Sequence, residues 1–75
     1  MRYGLVLVKI GNSRPGTVLD WVSNVKGVLD VYAVFGRFDL VVFIGAEDYY
    51  RLKDIAAEVA GVEGVKSTET LVHED

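Results

Sequence analysis

The chain contains no cysteine. That excludes disulfide staples and thiolate metal sites, and it fits a reducing compartment. Its only histidine, His73, lies in the closing HED and reads as part of a solvated terminus. No signal-peptide pattern opens the chain, and no apolar run approaches the roughly 18 residues of a membrane span. A soluble, cytoplasmic protein without membrane association is the expectation. A basic cluster is missing too: eight Lys and Arg are scattered among eleven Asp and Glu, giving a net charge of −3 and a pI near 5.0. Nucleic-acid binding rests first on a basic face that neutralises phosphates. Direct DNA or RNA binding is therefore not expected.

The ingredients of catalysis are equally sparse. Ser13, Ser23, Ser67, Thr68 and Thr70 have no internal base other than the remote His73, which argues against a nucleophilic triad. No carboxylate or histidine cluster has metal-ligand spacing. The segment GNSRPG (11–16) lacks the glycines and the lysine of a phosphate loop. Asp30, Glu47, Asp48, Asp54, Glu58 and Glu63 read as capping groups or solvated faces. No catalytic residue, metal or cofactor is expected.

What the chain has in excess is hydrophobicity, 51% of only 75 residues. A domain of this size buries only about 60% of its unfolded surface, so its core alone is marginal. The surplus must stay exposed or be covered by another copy, and oligomerisation is a standard remedy.

The apolar pattern breaks into six pieces. YGLVLVKI (3–10) reads as a strand ended by the 11–16 loop. Pro15 suits the first turn of a helix with Ser13 as its cap. Val18, Trp21, Val22 and Val25 recur at helical spacing until Gly27. LDVYAVF (29–35) is β-branched and aromatic, a strand; Gly36-Arg37 make the turn into another strand over 38–44. Asp48 caps a second helix lined by Leu52, Ile55, Ala56 and Val59. Gly61 and Gly64 end it, and VKSTETLV (65–72) is the last strand.

The two halves also resemble each other. VKGV (25–28) and VEGV (62–65) share three identical positions at an offset of 37 residues. At that offset Trp21-Val22 falls opposite Glu58-Val59. A repeated βαβ of this kind is the ferredoxin-like α+β sandwich, a four-stranded antiparallel sheet with two helices on one face. The whole chain forms a single domain.

In that fold the first and third strands are central. A sheet covered on one face should alternate apolar and polar residues, yet LVLV (5–8) and LVVFI (40–44) are apolar on both sides. The open face would be a large apolar patch. Leu5, Leu7, Val41 and Phe43 are therefore expected at a two-fold interface with a second copy, the alternative being a monomer with an apolar surface.

Three places invite a second reading. In Gly36-Arg37-Phe38-Asp39, glycine permits positive φ and aspartate can bond nearby amides, so a plain turn is sufficient; equally, the acid and opened backbone can receive an amine. Thr68 and Thr70 point to one side of their strand. They are either good strand formers or hydroxyls for a ligand. Tyr3, Tyr32, Phe35 and Phe38 read as core or interface.

In order, Gly36, Phe38, Asp39, Gly64-Val65, Thr68 and Thr70 resemble the effector-binding RAM domain of the Lrp/AsnC transcriptional regulators. The resemblance runs over nearly the whole chain. It implies dimers whose sheets face each other, assembly into larger rings such as octamers, and a small amino-acid effector bound between dimers. By position it implies that Asp39 meets the effector amine, while Val34, Phe35, Gly36, Arg37, Phe38, Thr68 and Thr70 line the rest. Two departures stand out. Family regulators carry a helix-turn-helix before this domain, whereas here the first strand starts at once. The chain therefore looks like a stand-alone RAM domain that regulates by association with a full-length relative. Arg37 stands where relatives often carry an acidic or polar residue, and Phe38 where tyrosine is common. The alternatives are a ligand-free ferredoxin-like adaptor, an ACT-like module, or a small enzyme on a dimeric α+β sandwich. From charge alone, the protein is expected to leave the electrophoretic mobility of random duplex DNA unchanged; a retarded band at physiological salt would contradict this.

Overall fold

A computed structural model describes residues 1–72; His73 lies outside the described residues. The elements are β1 (Arg2–Ile10), α1 (Pro15–Ser23), β2 (Val28–Ala33), β3 (Leu40–Ala46), α2 (Tyr49–Ala60) and β4 (Val65–Val72). The sheet order is β2-β3-β1-β4 and every neighbouring pair is antiparallel. This is the ferredoxin-like sandwich expected from the repeat, with β1 and β3 at its centre. Among the described residues no helix is long and apolar enough to cross a membrane.

Alternation along the central strands selects the core. Val6, Val8 and Ile10 of β1 and Leu40, Val42 and Ile44 of β3 are buried beneath the helices. They meet Val18 and Val22 of α1 and all four expected residues of α2: Leu52, Ile55, Ala56 and Val59. Fully burying a side chain of this size contributes about 1.5–3 kcal/mol. No polar or charged residue is buried among those described, so the core needs no internal polar network.

The helix starts differ. Asp48 caps α2 as expected, its carboxylate accepting from the Arg51 amide at 2.8 Å. Ser13 does not cap α1. With Pro15 in the first helical position the cap falls to Arg14, whose side chain makes no capping bond. Proline has no N–H, so one of the unpaired amides of the first turn is already absent. The first helix also ends at Ser23, before Gly27, with Asn24 as its C-cap. Val25 lies in the turn beyond and Trp21 is exposed, because Val18 and Val22, four apart, already define the inward face. β2 stops at Ala33 and β3 begins at Leu40, so the turn expected at Gly36-Arg37 spans residues 34–39.

The internal repeat is three-dimensional. Gly27 and Gly64, 37 residues apart in sequence, have φ of +100° and +94°. A Cβ on Gly27 would stand 2.2 Å from Ile55 Cδ1, and one on Gly64 would stand 2.7 Å from Val18 Cγ2. Val18 and Ile55 are themselves one repeat apart, so each glycine lies against the other half's helix. The Gly27 carbonyl accepts from the Gly45 amide and the Gly64 carbonyl from the Gly11 amide, both at 3.0 Å. Backbone strain at such a φ costs about 1–3 kcal/mol, and overpacking adds about 1–3 kcal/mol. Gly27→Ala and Gly64→Ala are expected each to lower unfolding free energy by at least about 2 kcal/mol in urea titrations. Gly61→Ala, at φ −88° with its nearest neighbours at 3.6 Å, should change it by less than about 0.5 kcal/mol.

Candidate functional site at the 34–39 turn

The turn is anchored at its base. The Asp39 amide donates to the Val8 carbonyl at 2.8 Å, and the Val34 amide donates to the Asp39 carbonyl at 3.0 Å. The edge strand β2 and the central pair β3 and β1 thus stay tied beyond the last formal pairs, Val8–Leu40 and Ala33–Leu40. Past that point the Asp39 carboxylate substitutes for backbone. Its Oδ2 accepts from the Ile10 amide at 2.8 Å, where β1 also shifts register against β4. The same oxygen lies 3.8 Å from Lys9 Nζ. The acid that starts an apolar strand is therefore fixed in place by the end of β1.

Above this base the turn projects outward. Gly36 has φ +125°, and a Cβ there would meet nothing within 4 Å. Phe35 is fully exposed. Arg37 is exposed, and Val34, Phe38 and Asp39 are half-buried. The aromatics Tyr3, Tyr32 and Phe35 all lie outside the core.

Thr68 and Thr70 occupy a different place. They pair with Val8 and Val6, and opposed residues share a face, so both lie on the helix side of the edge strand β4. Thr70 and Val72 border a groove of about 410 Å³ whose other wall is Tyr49, Lys53 and Ala56 of α2. Residues 34–39 are thus gathered at one end of the sheet, while the two threonines stand one strand beyond β1. One chain does not enclose them in a common pocket.

The expected interface residues form one surface. Leu5 opposes Phe43 and Leu7 opposes Val41 across the central pair. Leu71 opposes Leu5 from β4, and Tyr32 opposes Val41 from β2. Tyr32 stacks edge-on against Phe43, ring centroids 5.8 Å apart. Its hydroxyl donates to Asp30 Oδ2 at 2.6 Å. That hydrogen bond, and then the Asp30 charge, raise the Tyr32 phenol above its ordinary 10.0. Phe43 is 42% exposed, Leu71 51% and Tyr3 56%, and no helix covers this side. Lys9 follows Leu5 and Leu7 on that face by strand alternation, whereas Leu71 joins it only through strand register, which sequence periodicity does not supply.

A cleft of about 550 Å³ lies elsewhere: Lys26, Gly27, Leu29, Gly45, Arg51 and Ile55 are among its walls. It contains none of the expected site residues. Of its charged groups, Asp48 is engaged as a helix cap and Arg51 pairs with Glu58 at 3.7 Å. Among the described residues no group of three or more acids or histidines could hold a metal ion.

A two-layer sandwich with one bare apolar sheet face and a carboxylate turn at its rim defines a small α+β domain of ferredoxin-like fold. The model of the Lrp/AsnC ligand-binding domain matches residues 4–73. The chain belongs to that family. Among solved structures it is similar to TTHA0845 from Thermus thermophilus, at 29% identity and TM-score 0.89, covering 100% of this chain and 95% of that one. It is similar in fold to FFRP-DM1, at 19% identity and TM-score 0.88, over 99% and 100% of the two chains. Escherichia coli AsnC aligns at 14% identity and TM-score 0.84, over 99% of this chain but 51% of its own length. The fold therefore occurs both in chains of this length and as half of longer ones. No curated protein sequence matches the chain.

Removing the Asp39 carboxylate should strip the Ile10 amide of its partner beside an almost fully buried side chain. Such an unmet donor costs about 1–3 kcal/mol. Asp39→Ala is expected to lose that much in chemical denaturation. Asp39→Asn, which keeps an acceptor and loses only the exposed Lys9 pair, should lose less than about 1 kcal/mol. Equal losses would assign the whole effect to the ion pair.

Proposed function

We propose that the protein is an oligomeric regulatory domain that binds a small amino-acid-type effector where subunits meet. Two copies pair through the open sheet face, with Leu5, Leu7, Val41 and Phe43 at the centre. Pairs then associate into rings such as octamers, near the 34–39 turn. In that assembly Asp39 receives the effector ammonium. The backbone of Val34, Phe35 and Gly36, the side chains of Arg37 and Phe38, and the Thr68 and Thr70 hydroxyls complete the site, some of them contributed by neighbouring copies.

The observation that carries this reading is the incompleteness of the site in one chain. Asp39 is held rigidly at a rim, Phe35 stands wholly in solvent, and the threonines lie around the sheet edge. A second surface is required to enclose a ligand there. Membership of a ligand-binding domain family supports the same reading, and so do the regulators among its structural neighbours. An effector that fits only the assembled site stabilises that assembly by linkage. Modulation of a full-length relative by co-assembly follows from the same surfaces, and no catalytic step is part of this reading.

Sedimentation velocity should show a dimer or larger. Leu5→Asp, a charge at the centre of the face, should yield a folded monomer. A wild-type monomer would overturn the interface. In a thermal-shift screen, at least one common amino acid should raise the melting temperature, and Asp39→Asn should abolish that shift. An unchanged shift would remove Asp39 from the site.

A further inference from the structure

Lys9 takes no part in the effector site proposed for Asp39, yet it is the cation nearest that acceptor. It follows Leu7 on the open face of β1, at the rim where that face ends. Its Nζ lies 3.8 Å from Asp39 Oδ2, and the two side chains are 39% and 34% exposed. Oδ2 is also the oxygen that accepts from the Ile10 amide. The carboxylate is therefore held in position by backbone while a partly exposed ammonium of the same chain stands beside it.

We propose that Lys9 is a built-in competitor for the effector, its ammonium occupying the place beside Asp39 that the ammonium of an α-amino acid must take. This rests on Asp39 being the effector contact. The two cations are chemically alike, so both cannot share Oδ2 at close range without mutual repulsion. Binding requires Lys9 to swing away, which its four-carbon stem and partial exposure allow. The anchored carboxylate need not move, because the Ile10 amide holds it in either state. The Lys9 contact thus lowers effector affinity and sets the concentration at which the site fills.

Exposed ion pairs have small energies, equivalent to about a two- to fivefold change in a binding constant. Isothermal titration calorimetry of the intact protein with the common amino acids reads such a change. Lys9→Met keeps the length and apolar stem and removes the charge, and should tighten binding about two- to fivefold. Lys9→Gln should do the same, whereas Lys9→Arg should leave affinity close to wild type. Detectable binding in Lys9→Met to an amino acid that wild type does not bind would support the proposal further. Unchanged or weaker binding in Lys9→Met, with wild type binding normally, overturns the competitor role alone. Weaker binding would instead place Lys9 on the effector carboxylate. Should neither wild type nor Lys9→Met bind any amino acid, the effector reading fails and this proposal with it.

Discussion

Two glycines in left-handed backbone hold the architecture together. At Gly27 and Gly64 the chain leaves a helix and must re-enter the sheet beside a central strand. It does so in contact with the opposite helix, leaving no room for a Cβ. The contacts cross the repeat: Gly27 meets Ile55 and Gly64 meets Val18. Each half is thereby keyed to the other. With both returns fixed, β2 falls beside β3 and β4 beside β1, and the carbonyls of the two glycines accept from Gly45 at the end of β3 and from Gly11 just past β1. The packing of both helices on one sheet face follows from this, and so does the bareness of the other face.

That bare face is the link from fold to function. Two helices can cover only one side of four strands, while β1 and β3 carry apolar residues on both. The surface comprising Leu5, Leu7, Val41, Phe43, Leu71 and Tyr32 is continuous across all four strands, with the Tyr32 ring steadied by Asp30 and Phe43. Asp39 and Lys9 sit where the surface ends. In the proposed function, that charge pair at the rim of an apolar face joins a place for assembly to a place for a charged small molecule. The family, defined by ligand binding, accords with that combination.

Some features were legible in the residues. Helical spacing picked out Leu52, Ile55, Ala56 and Val59, and the Asp48 cap follows from residue type, because both are local. The VKGV and VEGV repeat announced the split βαβ order. The element ends were less legible. Ser13 looked like a cap because serine is a good one, but the fixed φ of Pro15 moved the cap position to Arg14. The aromatics Tyr3, Tyr32 and Phe35 suggested core or interface; they lie outside the core, which leaves the interface half of that expectation.

The sequence by itself determined the order of the elements, the core face of α2 and the apolar character of both sides of the central strands. These depend on periodicities of two and 3.6, which are properties of neighbouring residues. Only the tertiary structure decided what stands beside what. Strand register brings Leu71 next to Leu5, turns Thr68 and Thr70 toward the helices, and sets Lys9 and the Ile10 amide on one oxygen of Asp39. Asp39 and Ile10 are 29 positions apart in the chain, and Leu5 and Leu71 lie near its opposite ends. No local pattern encodes such meetings, because they depend on how whole strands align.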